Sequence, residues 1–366
     1  MAELGDATSG DTGDIDTACT PGPDDVGLMR TVWVSAGGGG NEGLPTRDLL
    51  MGSCRFDDVD ALGKEPDCGA AVFSVLDSDE YATLLSVLGP ARRRWPHAFL
   101  VVHGAVVAGS IERRWQSFEH GANMVTSELR EIERALDIVR RHRAAAGASR
   151  SGGAPCFGCP YCGLSLPGEE LWEHLPLFHV HERNRGGGCP LCGEAARNLQ
   201  VHVREAHVPA GRPPPEPEGD EAALVLVRGR GGAGEPWRYL AVHEFGGLGF
   251  WCPAGRAQPG EDLRAAALRE TWEEAGVEVE LKGVLGVEET GAWLPGVARR
   301  AFFLAEARSP PGGLAPTKGL PDFESAGAVW ATPEELRRVR LRAPEPLWCV
   351  EHLEGGGRVH PLECLG

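Results

Sequence analysis

One short stretch, residues 255–277, constrains this chain more than any other. Glu270, Glu273 and Glu274 stand at i, i+3 and i+4, so a helix places the three carboxylates on one face. Asp262 occupies the position of an N-cap, and Gly276 that of a helix stop. Leu268, Thr271, Trp272 and Ala275 are expected on the opposite, buried side. Three like charges on one face repel one another. A hard divalent cation with a preference for oxygen, Mg2+ or Mn2+, removes that repulsion. The segment therefore predicts a loop, a helix and a second loop built to hold a cation.

The same residues resemble the Nudix box. Gly255 is followed after five residues by Glu261, and after seven more by Arg269 and Glu270; Glu273, Glu274, Gly276 and Val277 complete the spacing. The departure is Thr271, where an aliphatic residue is usual; it falls on a packing position. The resemblance implies an α/β/α sandwich with a mixed sheet over residues 222–366. It further implies a Mg2+- or Mn2+-dependent diphosphatase that hydrolyses a nucleoside diphosphate derivative. Candidate substrates are a nucleoside di- or triphosphate, an oxidised purine nucleotide among them, or a nucleotide sugar. By the same resemblance Glu270, Glu273 and Glu274 are the metal-binding glutamates, with Glu270 the favoured general base. Arg269 braces them, Glu261 lies outside the metal shell, and the Gly255 carbonyl approaches the metal. Glu324, in a segment from which many Nudix enzymes supply a further carboxylate, is the candidate fourth acid.

Upstream lies a repeated Cys/His pattern. Cys159 and Cys162 are followed by His174 and His179; Cys189 and Cys192 are followed by His202 and His207. Two thiolates and two imidazoles at these spacings suit tetrahedral Zn2+ in a Cys2His2-type finger, a unit that needs its ion to fold. Two such units over 156–207 predict about two Zn2+ per chain. Pro176 lies between the first pair of His and is expected to strain their shared helix, which leaves His181 as an alternative to His179. Cys156 forms a further Cys-x-x-Cys with Cys159. The span holds six Glu and four Arg and no Lys. DNA- or RNA-reading fingers need cations against phosphate, so a protein partner or a structural role is expected and nucleic acid is disfavoured.

Residues 1–27 are rich in Asp, Gly, Thr and Ser and are expected to be a disordered acidic tail. Residues 28–145 alternate apolar runs (31–35, 70–76, 98–102) with amphipathic stretches (112–120, 127–141), which predicts a small α/β domain with a parallel sheet. Its alternation resembles a degenerate response-regulator receiver, with Asp77 at the end of a central strand but without an acidic pair or a Lys at the matching places. Such a domain implies interaction rather than phosphorylation. Gly38, Gly40 and Gly43 match a dinucleotide-type spacing, but Pro45 follows and no amphipathic helix opens there, so they read as a loop. Residues 143–154 and 208–221 read as linkers.

The net charge of −17 argues against non-specific binding to nucleic acid or to anionic membrane. Eleven Cys, five of them in Cys-x-x-Cys spacings, fit a reducing compartment with metal binding. Without a signal-peptide pattern or an apolar span, cytoplasm or nucleus is expected. The chain thus reads as a multidomain α/β protein with two competing alternatives to a diphosphatase: a nucleotide sensor without turnover, or a nucleic-acid-associated protein acting on capped RNA.

Overall fold

A computed structural model describes residues 31–35, 52–55, 68–149, 155–211, 219–290 and 296–365. The expected tail, the glycine loop at 38–43 and residues 150–154 and 212–218 of the two linkers lie outside these residues.

The first unit contains β1 (Thr31–Ser35), β2 (Gly52–Arg55), β3 (Ala70–Ser74), α1 (Ser78–Arg94), β4 (Phe99–His103), α2 (Ala105–Ala108), α3 (Ile111–Glu119), β5 (Met124–Thr126) and α4 (Leu129–Ser149). All strand pairs are parallel, in the order β2-β1-β3-β4-β5, which is the flavodoxin-like doubly wound order. Nearly continuous apolar strands suit such a sheet because both faces are covered. Ala71, Phe73, Leu100 and Val102 pack on one side with Tyr81, Leu84 and Leu88 of α1. Ala70, Val72, Phe99 and Val101 pack on the other with Ile132, Leu136 and Val139 of α4.

Two expectations change here. Asp77 does not present a free carboxylate at a strand end: it caps α1 and accepts from the backbone N–H groups of Asp79 and Glu80, both at 2.9 Å. The supposed linker at 143 is helix as far as Ser149, because its alanines favour continuation of α4. Helix α1 itself is hidden in the sequence by Gly89 and Pro90, which read as breakers; the burial of Leu84, Leu88 and Ala91 holds it together.

The central unit is two small ββα modules. The first is β6 (Cys156–Gly158), β7 (Ser165–Pro167) and α5 (Gly168–His179); the second is β8 (Gly187–Gly188), β9 (Ala195–Ala196) and α6 (Leu199–Ala206). Helix α5 runs through Pro176 to His179, so the proline does not separate the two imidazoles.

The third unit begins at β10 (Glu221–Gly229), with Gly219 already bonded to Ala257, so the Pro-rich linker ends earlier than residue 221. There follow β11 (Arg238–His243), β12 (Phe250–Trp251), β13 (Ala254–Arg256), α7 (Leu263–Ala275), β14 (Val279–Glu289), β15 (Arg299–Ala307), β16 (Ala328–Ala331), α8 (Pro333–Arg338) and α9 (Glu345–Glu354). Seven strands make one mixed sheet: β10 and β15 are parallel and the other pairs antiparallel. Helix α7 covers one face through Ala266, Ala267 and Ala275 against Val225, Val227 and Phe303. The other face packs Leu226, Tyr239 and Phe250 on Leu336 of α8 and Val350 of α9. Thr332 and Glu335 form a capping box at the start of α8. No described helix is long and apolar enough to cross a membrane.

The three units share cores. Ile111 of α3 lies in the cluster of Tyr239 and Phe250, Leu177 of α5 in that of α4, and Phe323 in that of the two ββα modules. Buried Arg114 donates from Nη1 to the Val125 carbonyl at 3.0 Å, and its Nη2 bonds the Ala326 carbonyl of the third unit. Glu131 accepts from the N–H of Gly319 at 2.8 Å.

Candidate active site and zinc centres

Both Cys/His sets are assembled. Ligand atoms of Cys159, Cys162, His174 and His179 all lie within 4.8 Å of one another, as do those of Cys189, Cys192, His202 and His207. In the first set His174 Nε2 is 3.4 Å from Cys162 Sγ and 3.1 Å from His179 Nε2. In the second, Cys192 Sγ and His202 Nε2 are 3.3 Å apart, and Cys189 Sγ and His207 Nε2 are 3.4 Å apart. The donors are all N or S, four per site, which is the set Zn2+ takes in structural centres. A hydrogen bond from Cys159 holds the Cys162 thiol far below its ordinary range, and burial lowers His174 to about 4. A thiolate and neutral imidazoles are the forms that ligate. His179 Nδ1 meets Glu182 Oε1 at 2.7 Å, an outer contact that orients a ligating ring.

His179, not His181, completes the first set. The ring of His181 is turned to His243, Nδ1 to Nε2 at 3.1 Å, among Trp115 and Phe118. Cys156 stands on β6 outside the four.

The carboxylate face of α7 has a different environment from the one its sequence predicts. Asp262 caps the helix, accepting from Arg264 and Ala265 at 2.8 Å, and Gly276 ends it with φ 68°. Yet Glu270 and Glu274 are 8% and 9% exposed, whereas Leu268 and Trp272, expected in the core, are 42% and 56% exposed. Thr271 and Ala275 are buried as expected. The face that meets the sheet carries Leu263, Ala266, Ala267, Thr271 and Ala275, and its small residues let the helix lie close to β13. A Cβ added at Gly255 would stand 2.0 Å from Cδ and Oε1 of Glu270, so only glycine leaves room for that carboxylate beside the backbone.

Arg269 organises the cluster. Its guanidinium pairs with Glu261 at 2.9 Å, Glu270 at 2.7 Å and Glu273 at 3.0 Å, and donates to the Arg256 carbonyl at 2.9 Å. Glu261 is held by two of these nitrogens and by the Gln258 N–H, and Arg269 keeps its carboxyl below the usual range. Burial pushes Glu270 up to about 7 despite Arg269, and pushes Glu274 well above the carboxylate range, helped by Glu244 and Glu270 nearby. Glu274 accepts from the Ala254 N–H at 3.0 Å. Buried, oxygen-only donors that resist ionisation by themselves, set around a cradle a Cβ would fill, fit a hard divalent cation.

Glu324 lies within Coulombic reach of Glu270, Glu273 and Glu274. It is ion-paired with Arg204 of α6. Other site residues escape a reading of the sequence. Glu244, at the end of β11, is buried, paired with Arg342 at 2.9 Å, and within Coulombic reach of Glu274. Ser325 Oγ donates to the Glu274 carbonyl at 2.6 Å, and Lys318 Nζ to the Glu273 carbonyl at 2.8 Å. A carboxylate at the end of a buried strand was a usable signal for Glu244; nothing local marks Ser325 or Lys318. On the opposite side Trp251 donates to Glu345 at 3.2 Å and carries Arg342 over its ring at 4.5 Å. Glu345 is in turn paired with buried Arg300 at 3.0 Å.

With this geometry in place the chain can be compared with known proteins. The NUDIX domain family matches residues 217–348, and the zinc-binding family of the Drought induced 19 protein (Di19) matches residues 155–208. The chain therefore carries a Nudix domain preceded by a Di19-type zinc-binding domain. It is 41% identical over 103 residues to the human 8-oxo-dGDP phosphatase NUDT18, a match covering 28% of this chain and 29% of that protein. It is 60% identical over 43 residues to an RNA pyrophosphohydrolase of Roseobacter denitrificans, covering 12% of this chain and 26% of that one. The chain thus spans less than a third of the length of these curated relatives. Among solved structures, a NUDIX hydrolase from Nitrosomonas europaea aligns at 24% identity and a TM-score of 0.32, over 41% of this chain and 97% of that one.

The fit at Gly255 is directly testable. In Gly255→Ala the new methyl overlaps the end of a flexible side chain, so the fold adapts by turning Glu270 away. Thermal stability should move by a few degrees at most, and hydrolytic activity should fall by on the order of 10²-fold, the usual effect of misplacing a group at a reacting centre. Unchanged kcat/KM would remove Gly255 from the site.

Proposed function

We propose that the Nudix domain is a Mg2+- or Mn2+-dependent diphosphatase acting on a nucleoside diphosphate derivative, and that an oxidised purine nucleotide of the kind named for human NUDT18 is the first substrate to try. The observation that carries this reading is the pair of buried carboxylates, Glu270 packed against Gly255 and paired with Arg269, and Glu274 bonded to the neighbouring Ala254 N–H. Groups so placed destabilise the protein when ionised alone, which is the mark of a site built for a charged ligand rather than for stability.

The residues have separable tasks. Glu270, Glu273 and Glu274 offer the oxygens for the cation. When bound, the cation neutralises charge that develops on the phosphate oxygens and acidifies a water. Arg269 keeps Glu270 and Glu273 from repelling each other, and Glu261 fixes Arg269. Glu270, buried beside the cluster and paired with Arg269, is the carboxylate we assign to proton acceptance. The two Zn2+ sites hold the fingers folded, and a protein partner through the fingers or the first unit belongs to the same reading.

The test is a panel of 8-oxo-dGDP, dGDP, dGTP, ADP-ribose, a dinucleoside polyphosphate and capped RNA with Mg2+ or Mn2+. Hydrolysis of a nucleoside diphosphate derivative is expected. Nucleotide binding without release of product would favour a sensor, and turnover confined to capped RNA would favour the nucleic-acid alternative.

A further inference from the structure

The segment 318–327 of the Nudix domain is held from outside that domain at several points. Glu131 of α4 accepts from the N–H groups of Gly319 and Leu320 at 2.8 and 3.3 Å. Arg114 of α3 bonds the Ala326 carbonyl, and Gly327 is needed there because a Cβ would lie 2.1 Å from the guanidinium. The fingers grip the middle. Trp172 of α5 meets Phe323 edge-on, ring centroids 4.8 Å apart, and its indole N–H donates to the Arg204 carbonyl at 3.4 Å. Arg204 itself, two residues beyond His202, is paired with Glu324. Within the domain the same segment is tied to the last turn of α7 by Ser325 on the Glu274 carbonyl and Lys318 on the Glu273 carbonyl. Glu324 is close enough to act electrostatically on Glu270 and Glu274, and Glu273 on Glu324.

We propose that Arg204 is a positioning residue for the carboxylate cluster: the helix of the second finger holds Glu324 on Arg204 and so withholds a fourth carboxylate from the divalent cation bound at Glu270, Glu273 and Glu274. This rests on the cation site of the proposed function. The physical basis is competition for one anion. Arg204 and Glu324 are 35% and 32% exposed, and an ion pair of that exposure is weak enough to be exchanged. A doubly charged cation at the cluster, within Coulombic reach of Glu324, competes with it, and each unit of charge at such range changes cation affinity severalfold. Because α6 takes its place from the Cys189, Cys192, His202 and His207 centre, the second finger enters the affinity of a site on another domain.

The experiment is a Mn2+ titration of the full chain loaded with zinc, with free Mn2+ read by electron paramagnetic resonance and Glu274→Gln used to define binding at the cluster. Arg204→Met should bind Mn2+ roughly three- to tenfold more tightly than wild type. Arg204→Lys, which keeps the charge, should stay within about twofold of wild type. In a Glu324→Gln background the same Met substitution should tighten binding by clearly less, because no carboxylate is released. If Arg204→Met loses zinc, Arg204→Gln is measured in its place. Unchanged or weaker Mn2+ binding in the zinc-loaded variant, or an equal gain with and without Glu324, overturns the proposal while leaving the cation site standing. Absence of any Mn2+ binding sensitive to Glu274 in wild type overturns the cation site itself, and the proposal with it.

Discussion

Glu274→Gln should abolish most catalysis while leaving the metal-free fold intact or more stable. Glu274 is 9% exposed, accepts from the Ala254 N–H and lies near Glu244 and Glu270, so burial holds its carboxyl well above the usual range. A carboxyl raised in the folded state contributes most to stability below its unfolded value, and that contribution is lost as pH rises towards the folded value. Near pH 8 wild type without divalent cation therefore carries a destabilising acid. The neutral amide, nearly isosteric and able to accept the same N–H, removes it. Melting temperature in metal-depleted buffer should be equal or higher at pH 8 and nearly unchanged at pH 4. Addition of Mg2+ should raise the melting temperature of wild type and raise that of the variant far less. The variant's kcat/KM should fall by about 10²–10³-fold, the range for loss of one preorganised electrostatic contact. Wild-type turnover by the variant would end the case for Glu274.

Cys162→Ser and Cys192→Ser should differ sharply, although both remove one zinc ligand. The first finger is knitted into the rest of the molecule. Leu177 packs with α4, Val180 with the core of the first sheet, and the Phe178 carbonyl accepts from Asn123 at 3.0 Å. Loss of its metal removes the folding energy of a unit that two other units lean on. Cys162→Ser should cost on the order of 3–5 kcal/mol, the range of large single-site effects, and be read as a lower global transition with poor yield. In the second finger Cys192 is exposed and His202 and His207 are half-buried. Leu199, Val203 and Gln200 still tie it to the first finger, so its loss should lower the main transition by less than Cys162→Ser does, with faster amide exchange over residues 187–207 and zinc content falling from about two to one. Equal global destabilisation by both changes would contradict the difference in packing.

Much of this architecture is visible in the residues themselves because it rests on local rules. Helix spacing, the Asp262 cap, the Gly276 stop and the Cys/His intervals are short-range constraints, and each appears at its expected place. Apolar runs marked β1, β3 and β4 to within a few residues. The failures are non-local. Helical periodicity gives two faces for α7 but not which of them meets the sheet; Glu270 and Glu274 are turned inward, Glu270 against Gly255, while Leu268 and Trp272 face solvent. His181 satisfied the finger spacing as well as His179 within a residue or two, and it was the cage of Trp115, Phe118 and His243 that claimed it. The pairing of Glu324 with Arg204, 120 residues away, is likewise invisible to local spacing.

The candidate ligand sets were legible in the sequence alone: three glutamates at helical spacing with Arg269 beside them, and two sets of Cys and His, because ligand type and interval are properties of a short segment. Their surroundings were decided only by the tertiary structure. Burial of Glu270 and Glu274, the capture of Glu324 by Arg204, and the sharing of cores among three units depend on which surfaces meet. Desolvation and Coulombic coupling act through space, and no interval along the chain encodes them.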